Sequence, residues 1–174
     1  MAYCNQTLSG IQLDCSSSMG GIKKVYIANY DDVKGFVTDE QGYITNITMA
    51  EGAKFKPYQF RKQTGSLVST LNVNEQSGLN YVSTELTLVF TKMETLKRLE
   101  MSALSKGQLR VIVEDCNGNF YFLGADDYVS AIEGGGSSGV SKSDSNSYNL
   151  KLKEESAEFP YFVDTKALEN IIDE

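Results

Sequence analysis

Residues 65 to 91 read Gly65-Ser-Leu-Val-Ser-Thr-Leu-Asn-Val-Asn-Glu-Gln-Ser-Gly-Leu-Asn-Tyr-Val-Ser-Thr-Glu-Leu-Thr-Leu-Val-Phe-Thr91. Two runs, Ser66 to Asn74 and Asn80 to Thr91, alternate apolar and polar side chains with the period of two that belongs to a strand. Leu67, Leu71 and Val73 fall on one face, matched by Val82, Leu86, Leu88 and Phe90 on the partner. The segment between them, Glu75-Gln76-Ser77-Gly78, has turn composition, so the whole reads as one long hairpin. Its other face carries Thr70, Asn72, Ser83, Glu85 and Thr87, and no Lys or Arg occurs from Gly65 through Thr91.

Working outward, a helix follows the hairpin directly. Thr91 and Glu94 stand in the T-x-x-E relation of a capping box; Met93, Leu96, Leu99, Ala103 and Leu104 recur at helical spacing, and Gly107 is placed for a left-handed stop. Next come strands at Gln108 to Glu114 and Phe120 to Gly124, joined through Asn117-Gly118, the dipeptide suited to a tight hairpin turn. Tyr128 to Ile132 adds a strand, and Gly-Gly-Gly-Ser-Ser-Gly-Val-Ser-Lys-Ser-Asp-Ser-Asn-Ser over 134 to 147 has the composition of a flexible loop. Tyr148 to Lys153 alternates with Leu150 and Leu152 inward, and Phe159 to Val163, around Pro160, reads as an edge strand. Asp164 then opens a short helix over 165 to 174, with Ala167, Leu168, Ile171 and Ile172 on one side; so short a helix docks on its own domain or on a neighbour.

Toward the N-terminus, Ile22 to Ala28 is a strand ended by Asn29-Tyr30-Asp31-Asp32, followed by strands at Tyr43 to Thr48 and at Lys54 to Phe60. Pro57 makes the last of these an edge or a bulge. Residues 1 to 21 are small and polar and read as a flexible arm without a secretory leader. The expected organisation is an arm (1–21), a β domain (22–163) and a C-terminal helix (164–174). The expected fold is mainly β: an antiparallel sandwich or partly closed barrel with one central helix.

Composition narrows the chemistry. The chain has 174 residues and 41% hydrophobic content, enough to bury a core. Histidine is absent, which removes Ser-His-Asp, Cys-His and His-metal arrangements. A formal charge of -7 disfavours gripping a nucleic-acid backbone. Cys4, Cys15 and Cys116 are an odd set with irregular spacing, read as reduced thiols; a zinc site built on them would lack a ligand. Gly134, Gly136 and Gly139 match G-x-G-x-x-G, but the polar Ser-rich stretch after them is not the helix that a dinucleotide site requires. The doublets Asp31-Asp32, Asp126-Asp127 and Glu114-Asp115 follow no calcium-loop pattern and read as turn residues. No catalytic, cofactor or metal constellation is expected. Lys54, Lys56, Arg61 and Lys62, interleaved with Phe55, Tyr58 and Phe60, form the one basic and aromatic cluster. It can be a charge-guarded edge, a contact for single-stranded nucleic acid, or an intersubunit contact, with the acidic tail from Glu154 onward as a complement in an adjacent copy.

The order of a long hairpin with one polar face, a helix directly after it, a tight Asn-Gly hairpin and a glycine-rich stretch before the last strands resembles the tail-tube proteins of long-tailed bacteriophages and related head-tail ring proteins. The likeness covers about Ile22 to Val163. Gly20-Gly-Ile-Lys-Lys-Val-Tyr-Ile-Ala-Asn29, Tyr148-Asn-Leu-Lys-Leu-Lys153 and Phe159-Pro-Tyr-Phe-Val163 are also similar in texture to virion proteins of phages of gut Bacteroidales, including the crAss-like group. The resemblance implies a non-enzymatic virion component, made in the host cytoplasm and placed in the tail or at the head-tail junction. It further implies a homo-oligomeric ring or tube with other tail or connector proteins as partners, double-stranded DNA passing without specific binding, and no membrane. Thr70, Asn72, Ser83, Glu85 and Thr87 would then line the lumen, and Lys54, Lys56, Arg61, Lys62, Leu168, Ile171 and Ile172 would contact neighbouring subunits. Two other classes fit the residues: a monomeric ligand- or glycan-binding β-sandwich, and a carboxylate-dependent enzyme using a divalent metal.

Overall fold

The computed structural model describes residues 6–173. In chain order the elements are β1 (Ile22–Asn29), a 3-10 turn (Tyr30–Asp32), β2 (Val33–Thr38), β3 (Ile44–Met49), β4 (Lys56–Tyr58), β5 (Ser66–Asn74), β6 (Leu79–Thr91), α1 (Thr95–Lys106), β7 (Leu109–Asp115), β8 (Phe120–Leu123), β9 (Ser130–Ser137), β10 (Ser147–Ser156), β11 (Tyr161–Val163) and a 3-10 turn (Thr165–Leu168). They form two open sheets, a large one in the order β2-β3-β11-β8-β7-β1-β4 and a small one in the order β5-β6-β10-β9. The fold is thus mainly β, a sandwich with one α-helix, and neither sheet closes into a barrel.

Two cores follow from the alternation along the central strands. Val25 and Ile27 of β1, with Leu109, Val111 and Val113 of β7, face the small sheet and meet Leu86, Leu88, Phe90, Leu150 and Leu152. Tyr26, Ala28 and Ile112 point the other way, where Ile44, Ile47, Phe55, Val163, Ala167, Leu168 and Ile171 cover them. Every residue of β7 is buried, as a central strand packed on both faces requires. Each fully buried aliphatic side chain, such as Leu86 or Leu152, contributes about 1.5–3 kcal/mol from removal of apolar area. β6 crosses beneath the large sheet: Val82 lines a depression with Tyr161 and Phe162 of β11, whereas the Phe90 ring lies 6.2 Å from that of Tyr58 in β4.

The long hairpin forms with the expected faces, its register placing Leu67 opposite Leu86, Thr70 opposite Ser83 and Val73 opposite Asn80. Several local readings need correction. The helix is capped at Glu94, whose side chain makes no capping bond, and Thr91 belongs to β6; instead the Lys97 ammonium donates to the Thr91 carbonyl at 2.6 Å. Gly107 has φ −78°, so it is no left-handed stop; it is needed because a Cβ there would sit 2.9 Å from Leu109 Cδ2. Of the helix's expected apolar face only Leu104 is buried, while Leu96 and Leu99 are 74% and 52% exposed.

The glycine run belongs to a strand. Gly134, Gly135 and Gly136 pair with Leu150, Asn149 and Tyr148, so the loop is confined to residues 138–146. Gly134 and Gly136 sit beneath α1: a Cβ on Gly136 would come within 3.0 Å of the Met93 methyl and the Tyr148 ring, and one on Gly134 would lie 3.8 Å from the Met101 methyl. Gly136 thus makes room for the Met93 side chain just ahead of the helix, whereas a Cβ at Gly134 would meet Met101 in ordinary contact. β11 is an interior strand, bonded to β8 and β3, and Pro160 precedes it without costing a ladder bond. The C-terminal segment is a 3-10 turn followed by a bridge from Ile172 to Phe55, with the Asp164 side chain accepting from the Lys166 N–H at 3.0 Å.

Candidate functional site

The register of the small sheet places all five polar hairpin residues, Thr70, Asn72, Ser83, Glu85 and Thr87, on the face turned away from the core. Among the described residues no element packs over that face. β6 shows the division cleanly: Val82, Thr84, Leu86, Leu88 and Phe90 are buried, while the intervening Ser83, Glu85 and Thr87 are half-buried among their cross-strand neighbours. The face extends beyond the hairpin, because Glu85 pairs with Lys153, and Thr87 with Lys151, which in turn pairs with Glu133. Hairpin composition alone missed these two lysines. Both are held by carboxylates: the Lys151 ammonium lies 3.3 Å from Glu133 and 3.9 Å from Glu85, and that of Lys153 lies 2.9 Å from Glu155. The Glu155 hydrogen bond also raises the Lys153 pKa. Glu85, Glu133 and Glu155 thus outnumber the cations, and the remainder mixes hydroxyls and amides with the apolar Val68, Leu79 and Val89 and the Tyr81 ring.

Both margins of this sheet are bare. Among the described residues β5 pairs only with β6 and β9 only with β10, so each leaves one row of backbone N–H and C=O groups without a strand partner. β5 has nine residues without a charge, a proline or a register shift. Past Val82 the hairpin also runs beyond its own core: Leu71 and Val73, expected to face inward, are on the inner side but 49% and 62% exposed, and Leu79 near the turn is 54% exposed. A free two-stranded ribbon is marginal in water, so this end gains from a neighbour.

A buried polar row crosses the inner side of the small sheet. Ser69, Thr84 and Glu154 occupy one register line; the Ser69 and Thr84 hydroxyls are 2.9 Å apart, and Glu154 accepts from the Gly124 N–H. Burial pushes the Glu154 carboxyl up to about 7 against that hydrogen bond, with the nearby Asp126 adding to the rise. On the far side of the large sheet, Arg110 is 7% exposed, and its guanidinium carbon lies 4.2 Å from the centre of the Tyr30 ring. Arg110 was not singled out by sequence, because it sits within an otherwise regular strand, and Glu154, read as the start of the acidic tail, is buried and so is not part of a free acidic surface.

The basic and aromatic cluster comes apart in three dimensions. Phe55 is fully buried and Phe60 packs against the core, so the aromatic rings do not line up as a stacking surface beside the lysines. Lys56 is bound to Asp173 of its own C-terminus, while Lys54, Arg61 and Lys62 are exposed. Leu168 and Ile171 are buried in the second core and Ile172 packs against it, which corrects their reading as intersubunit contacts: this chain has already used them. β4 is the outermost strand of the large sheet, as Pro57 required. Between it and α1 lies a cavity of about 470 Å³ lined by Lys56, Tyr58, Phe90, Lys97, Met101 and Leu104. The Tyr58 hydroxyl donates to Glu100 at 2.9 Å across this cleft, and burial followed by that hydrogen bond raises the Tyr58 pKa.

The acidic doublets serve turns. Asp115 accepts from the N–H groups of Asn117 and Asn119, both at 2.8 Å, and from the Tyr121 hydroxyl at 3.0 Å; Asp126 accepts from Ala157 N–H and Asp127 from Tyr128 N–H. Among the described residues no group of three His, Cys, Asp or Glu side chains could hold a metal ion. Cys15 and Cys116 are free thiols, and Cys4, with any pairing to Cys15, lies outside the described residues. Among the described residues no helix is long and apolar enough to cross a membrane. No protein family, curated protein or solved structure matches the chain.

Proposed function

We propose that the chain is a structural subunit that assembles side by side into a ring or tube, with the outer face of its small sheet turned toward a central passage for DNA, as in a phage tail tube or head-tail ring. One observation carries this reading: the uncovered, cation-poor face belongs to the sheet whose two edges are also open. The small sheet alternates direction from β5 through β6 and β10 to β9. Placing β9 of one copy beside β5 of the next therefore continues the antiparallel order without a break. Repetition around a circle removes every edge of that sheet.

The surface chemistry suits such a passage. A lining that bound phosphate would retain the duplex and release counterions at each contact. Here Lys151 and Lys153 are tied to Glu133, Glu85 and Glu155, and most other polar groups are neutral. Four strands spaced about 4.8 Å apart add about 19 Å of circumference per copy, so each copy widens the backbone circle by roughly 6 to 8 Å, depending on strand tilt.

Negative-stain images of the concentrated protein, alone and with its assembly partners, test this. The expected result is particles with a central hole whose diameter follows copy number by that relation. Virions of the phage that encodes the chain should also contain it at many copies per particle. Intact virions without the chain, together with a protein that stays monomeric at every concentration, would overturn the reading. A ligand-binding module would instead use the cleft between α1 and β4, and a small molecule protecting Tyr58 from chemical labelling would favour it.

A further inference from the structure

We propose that residues 6–18 of one copy cross the seam to the next copy and dock on the outward stripe of its α1, formed by Leu96 and Leu99. The inference rests on the edge-to-edge assembly above. The arm has no helix or strand and exposes its apolar side chains almost completely: Leu8 is 91%, Ile11 101% and Leu13 92% exposed. Ile11-Gln12-Leu13-Asp14-Cys15 alternates like a strand that has one apolar side to cover. Full exposure of three aliphatic side chains leaves several kcal/mol of burial unused.

The arm's root fixes where it can go. The Asn117 side chain accepts from the Met19 N–H at 2.8 Å and donates to the Met19 carbonyl at 3.0 Å, while the Cys116 N–H donates to Gly21. This clamp stands on the turn that Asp115 organises; burial raises the Asp115 carboxyl pKa, but the hydrogen bonds from the Asn119 N–H and the Tyr121 hydroxyl outweigh it and hold the group below its ordinary value. Met19, Gly20, Ser66 and Leu67 line one depression, so the arm leaves the domain beside the first residues of β5, at its open edge.

Across that edge the assembly places β9 of the neighbour. Antiparallel pairing runs β5 against that strand, and the register line from Ser66 through Thr87 and Lys151 sets Ser66 level with Glu133, three residues before Gly136, where the neighbour's Met93, just ahead of its α1, packs. The exposed Leu96 and Leu99 lie in the first half of this helix. Leu13 stands six residues before the clamp, about 20 Å of extended chain, and the arm as a whole spans about 40 Å. The neighbour's helix packs on its own β9, the strand across the seam, and the arm is long enough to reach past that strand. Charge agrees: Asp14 is the arm's charged residue, and Arg98 and Lys106 are exposed on the helix beside Glu100, while Lys97 is already tied to Glu94 and the Thr91 carbonyl. Two apolar features that nothing covers in a single chain thus cover each other in the pair.

The test uses the full chain with Cys4, Cys15 and Cys116 replaced by Ser and the pair Leu13→Cys and Leu99→Cys introduced. Both positions are exposed, so the fold is unaffected. A short bismaleimide should link the assembled protein into dimers and higher ladders between chains, and should leave the monomer fraction unlinked. The chain contains no Trp, so Leu99→Trp provides a single reporter. Its emission should shift to the blue on assembly, and deletion of residues 6–18 should abolish that shift and raise the concentration needed for assembly about tenfold. Assemblies that form normally without interchain linkage, with the emission shift intact after the deletion, would overturn the arm's role and leave the ring reading standing. Cross-links within one chain would also overturn it. If no assembly forms at all, both proposals fail together.

Discussion

The large and the small sheet differ most at their edges. The large sheet ends on one side in β4, three residues long with Pro57 and Lys56, and on the other in β2, which carries Lys34 and two register shifts against β3. Each device discourages a further strand from adding. The small sheet ends in β5, nine uncharged residues in unbroken register, and in β9, where one register shift and Glu133 precede three glycines that leave their stretch of the margin without side chains. The large sheet therefore guards both edges, whereas the small sheet leaves β5 and the glycine stretch of β9 bare. Edge protection can be selected independently on each sheet, and its absence from β5 and from the glycine stretch of β9 is what the proposed side-by-side assembly would use.

The sharpest way to break this contrast is to place the same charge on an edge of each kind. Val68 in β5 and Val37 in β2 are both 56% exposed. Val68→Lys should remove assembly, shifting its onset by at least about a hundredfold in concentration, whereas Val37→Lys should leave it unchanged. Both variants should melt as monomers within about 0.5 kcal/mol of the parent, because exposed positions carry little packing. Sedimentation velocity across a concentration series reads the first effect and urea titration the second. Equal loss of assembly from both substitutions would end the distinction between the sheets.

The interior of the small sheet offers a second contrast, in pH. Glu154 is pushed up to about 7, mainly by burial, against an ordinary value of 4.5. Between those values the folded chain holds a proton that the unfolded chain has released, so this group's contribution falls as pH rises from about 4.5 through 7 and is level above. The expected loss is on the order of 1 to 3 kcal/mol. Glu154→Gln keeps an acceptor for the Gly124 N–H and should flatten that slope. Urea midpoints at pH 5 and pH 8 for both proteins decide it, and a parallel slope in the variant would show that the pH dependence arises elsewhere.

The alternation of Ser66 to Thr91 specified both strands, their register and the side on which Thr70, Asn72, Ser83, Glu85 and Thr87 stand, because a period of two assigns faces without reference to the remainder of the fold. It could not show that Leu71 and Val73 outrun the core, since the length of the covering sheet is a property of other strands. α1 misled for the opposite reason. Its best apolar stripe, Leu96 and Leu99, points outward, and its contact side uses Met101 and Leu104 against a strand of glycines whose composition imitates a linker. Whether a glycine run forms a loop or a strand is decided by what must approach it, here the Met93 and Met101 side chains, and no local pattern encodes that. The lysines of β10 reach the hairpin's polar face through pairing alone, so their place needed the topology.

Those lysines give the smallest expected effect and the closest test of the face as a lining. Lys151 sits between Glu133 and Glu85, and exposed ion pairs of this kind contribute about 0 to 1 kcal/mol to folding. Lys151→Gln should therefore leave stability nearly unchanged and, by freeing two carboxylates, lower any residual affinity of the assembly for duplex DNA. The converse change, Glu85→Lys together with Glu133→Lys, turns the same patch cationic around Lys151. Assembled particles of that variant should retain DNA at low salt and release it steeply as salt rises, with a slope that counts the phosphates engaged. If instead the parent face binds duplex as strongly as the cationic variant, the tied lysines are available to phosphate after all, and a passage lined by this sheet would hold DNA rather than let it through.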